Sequence, residues 1–95
     1  MTNQEIREKV VELLVDGIRI DFDDNNRISI FADAEDNDTN AKQKASIDEI
    51  VKLLTANGYK ITLNELRVEK KKGQIKSSHS VILREKNNEN EIWKF

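Results

Sequence analysis

The chain contains no cysteine and no proline, and only three of its 95 residues are glycine. Without cysteine there is no disulfide and no thiolate to hold a metal. Without proline there is no X-Pro bond whose isomerisation would slow folding. Gly17, Gly58 and Gly73 stand far apart. Phosphate-binding and dinucleotide-binding loops need clustered glycines, so that backbone N–H groups can approach a phosphate, and those motifs are therefore absent. Long apolar runs are missing too. Stretches such as Val81-Ile82-Leu83 fall far short of the roughly 20 residues that span a bilayer, so no membrane partner is expected. Met1 to Glu5 do not form a basic region followed by an apolar one, so no secretory signal is read there. The expected setting is the cytoplasm, of a bacterial or phage type.

Charged residues make up 36% of the chain and apolar residues 37%. The apolar ones recur periodically, which argues for one folded domain over residues 1–95 rather than disorder. Net charge is only −2, but it is unevenly placed: residues 1–48 carry net −6 and residues 49–95 net +4. Such asymmetry is compatible with two surfaces that meet different partners, and equally with ordinary surface variation.

Thr2 and Glu5 have the spacing of a capping box. Ile6, Val10, Leu13 and Leu14 follow at helical spacing, with Gly17 as a stop, which predicts a helix over about 3–15. Ile18, Ile20 and Phe22 then alternate with Arg19, Asp21 and Asp23, and Ile28, Ile30 and Ala32 alternate in turn. These are two half-buried strands. Pairing Phe22 with Ile28 and Ile20 with Ile30 closes a hairpin in which Asn26 takes the left-handed backbone. Residues 33–40 read as a polar loop. A second helix carries Ile47, Ile50, Val51 and Leu54; its start is read at a Ser46/Glu49 capping box or earlier, at Thr39 or Asn40, and Asn57-Gly58 ends it. Tyr59, Ile61 and Leu63 begin a strand whose phase shifts to Leu66 and Val68, which suggests a bulge at Asn64-Glu65. With Lys72-Gly73 at the tip, Val68 faces Ser77, Leu66 faces His79, Leu63 faces Val81 and Ile61 faces Leu83. A last short strand is read at Glu91 to Phe95.

Residues 10–20 echo residues 50–61 with one insertion, each a helix, a glycine and a strand. The order αββαββ, with a terminal strand, predicts an α+β fold: one antiparallel sheet with two helices on one face. A circularly permuted ferredoxin-like sandwich has this order of elements. The expected core joins the apolar helix positions to Ile20, Phe22, Ile28, Ile30, Ile61, Leu63, Val81 and Leu83.

Signals for chemistry are few. Asp21, Asp23 and Asn25 begin like a calcium loop, but Asn26 and Ala32 stand where that loop needs glycine and glutamate. His79 is the only histidine. Ser77 shares its face but lies about 6–7 Å along the strand, too far for direct proton transfer, so His79 is read as structural. Paired carboxylates sit in hydrophilic stretches where nothing raises a pKa. No enzyme, metal site or cofactor is expected.

Two charged stretches remain. Residues 67–86 carry net +5, with Lys70, Lys71 and Lys72 at a hairpin tip and Lys76 beside them. A basic β-ribbon can contact phosphates, although no aromatic interleaves to stack bases. Between Asp21 and Asp38 lie seven carboxylates against Arg27, and Asp33, Glu35 and Asp36 form an acidic candidate for a basic protein surface. Trp93 and Phe95 share one face of the last strand. Pairing Leu83 with Phe95 sends both to the core; pairing Arg84 with Trp93 sends them outward to join Phe31 and Ile82 in an apolar patch. The leading expectation is a non-enzymatic protein-binding module, an inhibitor or adaptor, using Phe31, Ile82, Trp93, Phe95, Asp33, Glu35 and Asp36 toward a protein partner or a second copy. The alternative is a nucleic-acid accessory protein using Lys70, Lys71, Lys72 and Lys76.

Overall fold

A computed structural model describes residues 1–23 and 26–85. Two helices and four strands run in the order α1 (Asn3–Leu13), β1 (Ile18–Phe22), β2 (Arg27–Ala34), α2 (Asn37–Ala56), β3 (Tyr59–Lys71) and β4 (Gln74–Glu85). The strands form one antiparallel sheet in the order β1-β2-β4-β3. The α+β class and the αββαββ order are those expected from the sequence. The final strand and its residues Trp93 and Phe95 lie outside the described residues. Both edges of β4 are already taken: Leu83 pairs with Ile28 and Ile61, and Arg84 with Arg27 and Lys60.

The echo in the sequence has a counterpart in the sheet. Each half is a helix followed by a hairpin, and the halves meet where β2 and β4 pair, Ile30 opposite Val81 and Ile28 opposite Leu83. The α2 crossover from β2 to β3 leaves β4 between them, a split β-α-β connection of the kind a permuted ferredoxin-like sandwich contains. The halves differ in length. The second hairpin has strands of 13 and 12 residues against 5 and 8 in the first, so its tip runs past Ala34, the end of β2, which pairs with Ser77.

Local chemistry sets most boundaries. The Glu5 N–H donates to Thr2 Oγ1 and the Thr2 N–H to Glu5 Oε1, both at 3.1 Å, closing the expected capping box. Helix α1 ends at Leu13, short of Gly17. Gly17 (φ +86°) instead serves the turn in which the Ile18 N–H donates to Val15 O. Asn26 takes the left-handed backbone expected of it, φ +59°.

Helix α2 starts far earlier than Ser46. Asp36 caps it, accepting from the Thr39 N–H at 2.7 Å and the Thr39 hydroxyl at 2.9 Å. The polar stretch 33–40 is therefore mostly strand end and first helical turn. Ser46 is a buried mid-helix residue whose hydroxyl donates to Leu13 O. One turn earlier, buried Gln43 donates from Nε2 to Asp16 O at 2.9 Å and to Asp33 O at 2.8 Å. Two polar side chains of α2 thus hold the end of α1, the Gly17 corner and the end of β2.

The core lies between the helices and one sheet face: Ile6, Val10, Ile18, Ile28, Ile30, Ala32, Ile47, Ile50, Leu54, Tyr59, Val81 and Leu83, with Leu13, Leu14, Ile20, Phe22 and Val51 packed partly buried at its margin. Ile61 and Leu63 are not part of it. The register shift falls between Ile61 and Leu63, at Thr62, rather than at Asn64-Glu65. The Thr62 hydroxyl donates to Ile82 O at 3.1 Å. Leu63 consequently pairs with Ile82, not Val81, and turns to the face away from the helices.

These contacts set a stability order. Leu54→Ala should cost about 2–5 kcal/mol, as truncation of a fully buried leucine does, and Val11→Ala on the exposed side of α1 within about 0.5 kcal/mol. Gly58→Ala should cost about 1–2 kcal/mol for left-handed backbone alone. Gly17→Ala should cost more, because a Cβ there collides with Gln43 Nε2 and meets Asp33 O at 2.9 Å. Urea unfolding of the four variants gives the ranking directly.

Candidate protein-binding face

Both helices cover the same side of the sheet, and alternation along the strands sends a second set of side chains to the other side. Three rows of cross-strand neighbours cross this open face: Arg19, Phe31, Ser80 and Glu65; Asp21, Ser29, Ile82 and Leu63; and Asp33, Ser78 and Arg67. Phe31 and Ile82 sit diagonally on adjacent strands, and Leu63 is directly opposite Ile82. The apolar group is flanked by small serines and rimmed by charges of both signs.

The rim is organised around Arg19. Its guanidinium lies 4.8 Å from the centroid of the Phe31 ring and 3.9 Å from Asp33 Oδ2. A cation over an aromatic face is attracted by the ring quadrupole. Arg67 Nε donates to Glu65 Oε1 at 2.7 Å on the same face. These exposed pairs contribute little to stability, and their main effect is to orient polar groups around Phe31, Ile82 and Leu63.

Of the protein-binding residues read from the sequence, the fold brings Phe31, Ile82 and Asp33 together on the open face. Glu35 and Asp36 lie instead at the corner between β2 and α2, where Asp36 is occupied as the helix cap. Trp93 and Phe95 are outside the described residues. Leu63 and Arg19 were not anticipated: Leu63 reaches this face only because the bulge sits at Thr62.

Lys70 and Lys71 end β3, and Lys72 (φ +51°) with Gly73 (φ +78°) makes the turn. Lys76 follows on β4. Lys71 and Lys76 line a shallow hollow with Glu35 and Glu69, so the local field at the ribbon tip is mixed rather than purely positive.

His79 lies on the helix side, buried, with Nε2 2.7 Å from Asn64 Oδ1. Ser77 shares this face and is also buried, but it pairs across to Val68 and Ala34. Among the described residues, no group of three or more His, Asp or Glu side chains gathers where it could hold a metal ion, and no helix is long and apolar enough to cross a membrane.

The chain matches no family model, and no curated protein or solved structure matches it significantly.

Burial holds the His79 pKa below its usual 6.5; among smaller effects Asp48 raises it and Lys44 lowers it. The unfolded chain therefore binds this proton more readily than the fold. The associated stability is fully present above pH 6.5 and is lost as pH falls through that value toward the folded-state pKa. The wild-type protein should unfold at lower urea at about pH 5.5 than at about pH 7.5, and His79→Gln should flatten that difference.

Proposed function

We propose that this protein is a non-enzymatic binding module that acts by occupying a protein partner, as an inhibitor or adaptor, through the open face of its sheet. The observation that carries this reading is the placement of Phe31, Ile82 and Leu63 together on that face, inside a rim of both charge signs. A small apolar centre with a polar, two-signed rim is the anatomy of a protein interface, and aromatic residues at such a centre carry a large share of binding energy. A polyanion would call for a rim of one sign. Asp21, Asp33 and Glu65 on this face oppose that. The setting that suits such a module is the cytoplasm, in keeping with a chain free of cysteine.

A second reading has one observation in its favour. The β3–β4 ribbon carries Lys70, Lys71, Lys72 and Lys76 beyond the end of β2, where they would reach a phosphate backbone.

A photoreactive residue at Ser80, beside Phe31, should crosslink to a discrete partner protein in lysate. The same probe at Val11 should not, and Phe31→Ser with Ile82→Ser should abolish the product. Replacing Lys70, Lys71 and Lys72 by Gln should leave that crosslink intact. If the ribbon binds phosphates, the triple variant should instead flatten the salt dependence of duplex binding by roughly one unit per lost contact. The absence of any low-salt shift on DNA or RNA would remove the second reading.

A further inference from the structure

Strand β3 is an edge of the sheet among the described residues, and every residue from Lys60 to Lys71 is exposed. It is long and carries four large apolar side chains: Ile61, Leu63, Leu66 and Val68, with exposures of 38%, 39%, 41% and 47%. Long apolar edges are templates for another strand. On β3 the lysines stand toward the ends, at Lys60, Lys70 and Lys71, and the centre is left without them.

The hairpin turn determines which backbone groups face outward. A two-residue loop with left-handed backbone at Lys72 and Gly73 makes Lys71 and Gln74 a hydrogen-bonded pair. Hydrogen-bonded and non-hydrogen-bonded pairs alternate from there. Glu69, Arg67 and Glu65 exchange their bonds with β4. Lys70, Val68, Leu66 and Asn64 direct N–H and C=O to the outside.

Charge then narrows the partner and the register. On the open face β3 presents Glu65, Arg67, Glu69 and Lys71, alternating in sign along the strand. From this pattern we infer that the outer edge of β3 pairs antiparallel with β3 of a second copy, about a two-fold axis at Val68. In that register Arg67 of each copy faces Glu69 of the other, and Glu65 faces Lys71. On the helix side Val68 meets Val68, and each Leu66 lies diagonal to the other copy's Val68 and along the stem of its Lys70. The outward groups of Leu66, Val68 and Lys70 pair with those of the other copy in the same register. Moving the axis by one residue, to Arg67, opposes Arg67 with Arg67 and Glu65 with Glu69. A parallel pairing in register also sets like charges side by side. Opposite charges across a strand pair stabilise it and like charges destabilise it, so the alternation fits an isologous contact. This inference is independent of the open-face reading, since a dimer fused along β3 leaves Phe31 and Ile82 uncovered.

The test is sedimentation equilibrium of the full chain over a hundredfold concentration range, with four variants. Wild type should show a monomer–dimer equilibrium. Val68→Pro removes an outward N–H and no hydrogen bond to β4, and should abolish the dimer while the circular dichroism stays essentially unchanged. Arg67→Glu opposes Glu with Glu and should weaken dimerisation at least tenfold. Arg67→Glu with Glu69→Arg restores opposite charges in this register alone and should recover it. Val68→Cys, the only cysteine in the chain, should give a covalent dimer under an added oxidant, because the two Cα atoms lie about 5.5 Å apart, within disulfide range. A chain that is monomeric at every concentration overturns the inference, as does protection of the Leu66 and Val68 amides from exchange in that monomer, which would assign the edge to another segment of the same chain. A dimer unaffected by Val68→Pro and Arg67→Glu overturns it too, by placing the contact elsewhere.

Discussion

The side-chain amide of Gln43 is the contact on which the arrangement of this fold depends. Its Nε2 donates both hydrogens, to Asp16 O and Asp33 O, and one helical turn later the Ser46 hydroxyl donates to Leu13 O. Three carbonyls from three places in the chain are satisfied by one stretch of α2. Buried polar groups are tolerable only when satisfied in this way, so the helix has one favourable position along and across the sheet. The Asp33 N–H donating to Gly17 O closes the same corner from the other side. Gly17 is required there twice over, for its backbone angle and for the room that Gln43 takes.

Fixing α2 in that position has a consequence at the opposite side of the sheet. Tyr59, where β3 begins, is buried beneath the helices, whereas the rest of β3 is exposed. The second hairpin extends beyond its cover because its strands are longer than those of the first. The fold is thus one-sided in two senses. The helices close one face of the sheet and leave Phe31, Ile82 and Leu63 on the other, and the longer hairpin leaves one strand with an unpaired outer edge among the described residues. Surfaces of both kinds are where small proteins meet partners.

Much of this was legible in the sequence, because alternation and helical spacing respond to burial. Phe22 opposite Ile28, Ile61 opposite Leu83 and Leu66 opposite His79 all follow from where the polar turns fall. The start of α2 was half legible: the earlier of its two readings, at Thr39 or Asn40, falls within the first turn of the helix, but the cap at Asp36 was not read. Ser46 and Glu49 have a capping spacing, but a serine that donates to a distant carbonyl looks the same in sequence as one that accepts from its own helix. Asp36 with Thr39 made the actual cap, within a stretch whose polarity suggested a loop. The bulge reads two residues late in the sequence, at Asn64-Glu65, because a phase shift between Leu63 and Leu66 does not say which residue is inserted. That small displacement moved Leu63 from the expected core to the candidate face. The candidate face was partly legible for the same reason: alternation put Phe31 and Ile82 outward, but Arg19 over the Phe31 ring depends on strand register and side-chain conformation together.

Among the described residues this sheet is covered on one side only, so that adjacent residues of one strand meet different surroundings. Solvent paramagnetic relaxation of methyl groups tests it most directly, since a soluble paramagnet reaches only accessible protons. Ile82 on the open face should relax strongly, while Val81 and Leu83, its neighbours in β4 and both fully buried, should be almost unaffected. Equal relaxation of the three, or shielding of Ile82 in the isolated monomer, would contradict the account.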